Sequence, residues 1–138
     1  MFLNGILQAI HLVSDCVKNR SYFLLFSEVR YLLVRTMQSW DEAKAYCNAL
    51  GARLMEIHSP EDLERAMRFR QEMGGNFVVG GRKIDGVWIW ESNGDEINEF
   101  WQNGRPLGWG DTNCALVTLN AIYDWRCTVL YRAVCEYD

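Results

Sequence analysis

Five cysteines in 138 residues, at positions 16, 47, 114, 127 and 135, constrain this chain more than any other feature. None forms a Cys-x-x-Cys pair, and the two histidines, His11 and His58, lie far from any cysteine cluster, so the spacing does not describe a zinc site. Structural disulfides are the alternative, and they imply an oxidising compartment. Four cysteines would pair and one would be left over. For any four, counting alone leaves three pairings open.

The length suits one domain with a real core. About half the residues are apolar, with six Trp, six Tyr and six Phe, which describes a globular chain. Net charge is −4, and 11 of the 14 basic residues are Arg scattered along the sequence. No basic stripe exists to neutralise a phosphate backbone, so nucleic acid is not the expected partner. No apolar run reaches the roughly 18–20 residues that a membrane span needs. Residues 1–28 read as an N-terminal arm, an amphipathic segment packing on the domain, with a degenerate signal peptide as the alternative.

Local signals place the elements. "RYLLVRT" (30–36) suits a buried strand. "SWDEAKAYCNALG" (39–51) is a helix: Ser39 caps it, Glu42 completes a capping box, and Gly51 supplies a left-handed stop. Trp40, Ala43, Cys47 and Leu50 recur on one face of it. "ARLMEI" (52–57) reads as a short strand. In "SPEDLERAMRFRQEMGG" (59–75), Ser59 caps a second helix, Pro60 fills its first position, and Gly74 and Gly75 end it. Leu63, Ala66, Met67 and Met73 should face inward, and His58 is an exposed loop histidine. After residue 75 only strand candidates follow: "NFVVGG", "VWIWES", "ALVTL", "AIYDW" and "YRAVCEY". This order predicts an α+β fold, two helices segregated from small antiparallel sheets. The polar, Gly-rich interval 91–113 is too long for an ordinary connection and is the expected working loop.

Taken together, "SWDEAKAYC", "GARLMEIHSPED", "FVVGG", "VWIWESNG", "FWQNGRP" and the closing cysteines, separated by 12 and 7 residues, resemble the C-type lectin-like domain over residues 29–138. The resemblance implies that Cys47 bonds Cys135 and Cys114 bonds Cys127. In the chain-entropy picture the long link is worth about 4–5 kcal/mol and the short one about 3 kcal/mol. It further implies that Trp88, Trp90 and Trp101 are mostly core, and that Gly80 and Gly81 stand where the backbone packs closely.

Sugar-binding members of that family hold calcium with a Glu-Pro-Asn or Gln-Pro-Asp triplet, its proline cis, and a Trp-Asn-Asp triplet. Calcium takes six to eight oxygens, several of them charged. Here Arg105-Pro106-Leu107 and Ile122-Tyr123-Asp124 stand at those places. A guanidinium repels the ion and Leu107 offers no side-chain oxygen. Asp124 survives, with Asp111 and Asn113 as the other oxygens near the site. The accessory position reads "RKIDG" (82–86). The expectation is no cofactor and no tight calcium, unless the slightly short loop shifts Asp111 into a ligand role.

The candidate binding residues are therefore Arg105, Leu107, Trp109, Asp111, Asn113, Tyr123, Asp124 and Trp125. Aromatics beside arginines are the composition of binding hot spots. Trp109 and Trp125 have a second reading, in which they fold back to pack the loop. Neither a GxSxG, an HExxH, a phosphate loop nor a dinucleotide fingerprint occurs, so no catalysis is expected. The resulting expectation is a secreted or extracellular module that binds a protein or other surface ligand without calcium, with a degenerate or metal-free glycan binder as the alternative. Cys16, the thiol left over, would bridge two chains into a homodimer, stay buried under the arm, or belong to a removed region.

Overall fold

The computed structural model describes residues 21–26 and 29–138. Cys16, His11 and the amphipathic reading of the opening segment lie outside the described residues. The elements run β1 (Ser21–Phe26), β2 (Val29–Gln38), α1 (Trp40–Ala49), β3 (Arg53–Leu54), α2 (Pro60–Met73), β4 (Phe77–Ile84), β5 (Val87–Trp90), β6 (Cys114–Val117), β7 (Ile122–Trp125) and β8 (Tyr131–Tyr137). The α+β class and both disulfides, Cys47–Cys135 and Cys114–Cys127, are as expected.

Among the described residues all strands belong to one sheet, whose main path is β1-β2-β8-β4-β6-β7, with β3 on β8 and β5 on β4. The expectation of purely antiparallel sheets needs correction, because β4 and β8 run parallel through Phe77–Arg132 and Val78–Ala133. The other strand pairs are antiparallel. Residues 21–26 pair with β2 along their whole length.

The sheet is covered on both faces, which explains why β2 and β6 read as near-continuous apolar runs rather than as alternation. Tyr31, Leu33, Phe77, Val79, Ala115, Val117 and Val134 point to one cluster with Phe69 and Met73 of α2. Their neighbours Leu32, Val34, Val78, Cys114, Leu116, Ala133 and Cys135 point to the other, with Trp40, Ala43 and Cys47 of α1.

Both helices start where their caps predict. Ser39 accepts from the Glu42 amide while the Glu42 carboxylate accepts from the Ser39 amide, and Ser59 accepts from the Asp62 amide. Trp40, Ala43 and Cys47 are buried, but Leu50 is exposed, because α1 ends at Ala49 and Leu50 lies beyond the last turn that faces the sheet. On α2 Ala66, Phe69 and Met73 are the buried positions; Leu63 and Met67 pack at the margin. Of the "ARLMEI" segment only Arg53 and Leu54 form a strand. Met55 and Ile57 are nonetheless buried, and the Met55 amide donates to Val134 and its carbonyl accepts from Gly80.

Three contacts set where the long loop begins. The buried Glu56 carboxylate accepts from both the amide (2.8 Å) and the hydroxyl (2.7 Å) of Ser92, and its Oε1 lies 2.8 Å from His58 Nε2. Trp88 and Trp90 are core, and Trp101, half-buried, meets Trp88 edge-on at 5.0 Å and donates its indole N–H to the Ile97 carbonyl. Gly81 admits no side chain: a Cβ there would lie 2.7 Å from Ile97 Cδ1 and 2.9 Å from Ala115 Cβ.

Gly81→Ala should therefore lower stability by about 1–3 kcal/mol. Gly110→Ala, where a Cβ would meet nothing within 4 Å, should be close to neutral. Urea midpoints of the two variants check the contrast.

Candidate functional site

The loop after Trp101 is fastened along the free edge of β7. The Ile122 amide donates to Phe100 and the Ile122 carbonyl accepts from Gln102. Further along, Arg105 Nη1 donates to the Asp124 carbonyl at 2.8 Å, so the edge strand has no bare acceptor there. The Arg105–Pro106 peptide bond is cis.

Period two along β7 puts Ile122 and Asp124 on one face and Tyr123 and Trp125 on the other. Asp124 is fully buried. Such a carboxylate needs a partner for its charge and donors for its lone pairs. Arg105 Nη1 lies 3.2 Å from Oδ1, and the Leu107 amide donates to both oxygens at 3.0 Å. The guanidinium is held from the other side by aromatic faces, 4.3 Å from the Tyr123 ring centroid and 6.0 Å from that of Trp125. Arg105, Leu107, Tyr123, Asp124 and Trp125 therefore form one cluster. The contribution of Leu107 is its backbone amide.

The second half of the loop is built differently. Lys83 of β4 holds it twice: its amide donates to the Asn113 carbonyl at 2.9 Å, and its ammonium donates to the Trp109 carbonyl at 2.8 Å. Thr112, fully buried, turns its hydroxyl back to the same Trp109 carbonyl, and the Asn113 side-chain amide donates to Gly110. This turn leaves the Trp109 side of the loop outward, with the residue 51% exposed. Asp111 accepts from Arg126 Nε at 2.8 Å, and Arg126 also lies 5.0 Å from the Trp125 ring. The Arg126 hydrogen bond is the main cause that holds the Asp111 carboxyl below its ordinary value, with further help from the charges of Arg126 and Lys83. Asp111 and Asp124 are thus each engaged by a separate arginine. Among the described residues no three His, Cys, Asp or Glu side chains are grouped to hold a metal ion.

Sequence reasoning missed three parts of this arrangement: the Lys83 anchor, the Arg126–Asp111 pair and the buried Glu56 behind Ser92. Each partner lies 15 to 36 residues away. No local pattern reports such contacts.

With this geometry in place, comparison with known proteins is informative. The Lectin C-type domain profile matches residues 36–137. The chain belongs to the C-type lectin domain family. A relative, C-type lectin domain family 7 member A of Bos taurus, is 30% identical over 128 residues, covering 89% of this chain and 51% of its own length. The chain thus spans about half the length of the curated relatives it matches. Among solved structures, the cow carbohydrate-recognition domain of CD23, determined in the presence of an oligosaccharide, is 27% identical with a TM-score of 0.73, covering 83% of this chain and 91% of that one. A calcium-independent type II antifreeze protein shares the fold with a TM-score of 0.70 at 24% identity, covering 83% of this chain and 89% of that one.

The two arginines should respond differently to removal. Arg105→Ala strands the buried Asp124 charge and should cost about 3 kcal/mol, the Leu107 amide retaining part of the solvation; the urea midpoint reads it. Arg126→Ala should leave stability nearly unchanged, since its pair with Asp111 is exposed. In that variant the Asp111 carboxyl should titrate at higher pH, as followed by NMR. The pair itself persists above the ordinary carboxylate range and is lost as pH falls through the depressed value.

Proposed function

We propose that this chain is an extracellular recognition module that binds a protein or other surface ligand without calcium, through the face made by residues 105–113 and 123–126. One observation carries the reading: the only buried carboxylate in the loop cluster, Asp124, already has both oxygens engaged by the Arg105 guanidinium and the Leu107 amide.

A calcium ion at this place would need six to eight oxygens, several charged. The residues here do not fit it. Arg105 brings a positive charge to the position, Leu107 brings an amide donor, and Asp111 alone is one exposed carboxylate, short of the several charged oxygens an ion needs. Arg105 does the work of an internal cation: it neutralises Asp124 and ties the loop to the strand edge at once. The loop therefore holds its shape with no ion present.

What faces outward supports binding by surface contact. Trp109 is half-exposed on an anchored turn, with Arg126 and the half-buried Trp125 close in sequence to the disulfide that fixes the same region. Rigid aromatics with arginine give contact area at low entropic cost. Two disulfides fit an oxidising, extracellular setting. The exposed indole also favours a second reading, metal-free stacking on the apolar face of a sugar.

Calorimetric titration with calcium should give no saturable heat in the micromolar range, and a glycan array and a display of cell-surface proteins should give the same hits with and without chelator. Binding that is lost in chelator and restored by calcium overturns the reading. Trp109→Ala should weaken binding to any hit at least tenfold, as about 1.4 kcal/mol or more at a central aromatic contact implies.

A further inference from the structure

A cleft of about 460 Å³ opens beside the Trp109 turn, lined by Arg82, Gly110, Asp111, Asn113, Arg126 and Thr128, with the Cys114–Cys127 bridge at its wall. This volume suits one or two sugar rings. Its two guanidiniums come from different elements, Arg82 from β4 and Arg126 from the residue after β7. Both are pre-positioned by aromatic faces. Arg82 lies 5.0 Å from the ring of the fully buried Trp40, and Arg126 lies 5.0 Å from Trp125.

Both arginines already hold a carboxylate, Asp41 on Arg82 at 3.0 Å and Asp111 on Arg126 at 2.8 Å. Each of those acids is mostly solvent-exposed, 70% and 62%. Exposed pairs of this kind are weak and open readily. Asp111 is in effect a resident acid that an incoming one can displace. Lys83, fixed on the Trp109 carbonyl, adds a third positive charge next to Arg82 in the chain.

An acidic amino-acid side chain would meet the two arginines and nothing more. A sugar that carries an acid group also brings an apolar ring face, and the half-exposed indole of Trp109, next to Gly110 in the chain, offers a stacking surface for it.

We propose that the Arg82–Arg126 cleft binds the sulfate or carboxylate group of an acidic glycan whose ring lies against Trp109. This rests on the calcium-independent reading above.

The test is titration of the full chain, in chelator, with five probes: a sulfated oligosaccharide, a sialylated one, the neutral counterpart of each backbone, and a poly-glutamate peptide. A sulfated or sialylated probe should bind at least tenfold more tightly than its neutral counterpart and than the peptide, and raising salt from 50 to 200 mM should weaken it. Arg126→Ala should lose tenfold or more. Asp111→Asn should gain threefold or more, because it releases Arg126 and removes a like charge; a purely structural role for Asp111 would give no gain. Arg82→Gln, checked for folding by near-UV circular dichroism, should also lose tenfold.

Several outcomes overturn the proposal: neutral and acidic sugars bound equally, the peptide bound as tightly as the acidic sugar, or acid binding that survives in the Arg82→Gln/Arg126→Ala double variant. Acidic-sugar binding that appears only with calcium, and still requires both arginines, sinks the calcium-independent reading instead.

Discussion

The bond between Cys47 and Cys135 is the constraint on which the other parts depend. It spans 88 residues and joins α1 to β8, the strand that β2, β3 and β4 all pair with. A link of this length removes about 4–5 kcal/mol of chain entropy from the unfolded state. It also does something positional. Both cysteines are fully buried, so the bond pins α1 flat on one sheet face and drives Trp40 into the core, where the indole donates to the Val79 carbonyl at 2.8 Å. The Trp40 amide in turn donates to the Cys127 carbonyl. The helix held by the long disulfide is thus bonded at its start to the short one. The short bond, 13 residues apart, closes the β6–β7 hairpin on which the loop is laid.

The scaffold therefore carries a long segment with little regular structure, and its backbone groups still have to be satisfied. They are satisfied by borrowing strand edges. Residues 100–105 bond along β7, and residues 109–113 bond back to Lys83 of β4. Charge completes what the backbone begins. A buried aspartate and an arginine are costly to remove from water, and their attraction offsets that cost only when the remaining lone pairs are bonded. The Leu107 amide meets that condition at Asp124. The pair specifies one loop conformation; its value lies in fixing shape more than in net stability.

Much of this was legible beforehand, because the signals are local. Ser39 with Glu42, Ser59 with Pro60, and the glycine after each helix mark the helix ends through hydrogen bonds made within four residues. The cysteine pairing followed from resemblance to a family, and the structure has the same pairs. Gly80 and Gly81 were read as close-packing positions, and the contacts around Gly81 agree. The misses have a common cause. Leu50 fits the helical period, yet the helix ends before it. The parallel pairing of β4 with β8, the burial of Glu56 and the Lys83 anchor all depend on which distant segments meet. At the loop itself the resemblance implied that Arg105 and Leu107 stand where sugar-binding members of the family carry calcium oxygens. It did not show that Arg105 turns inward onto Asp124 rather than outward to solvent.

That last difference separates structure from recognition in this loop. Arg105 and Arg126 are chemically identical, and both pair with an aspartate and approach Trp125. Their side chains are 18% and 44% exposed, and their partners 0% and 62%. The Arg105 pair sits where an unpaired charge costs several kcal/mol, so its bonds are committed to the fold. The pair of Arg126 with Asp111 sits in water, where exchanging one carboxylate for another is nearly free. A guanidinium held by aromatic stacking but only loosely engaged by its acid can exchange that acid without cost to the fold. Burial, which the residue types alone do not reveal, thus commits one arginine to the frame and leaves the other, exposed, as the one the proposed ligand would meet.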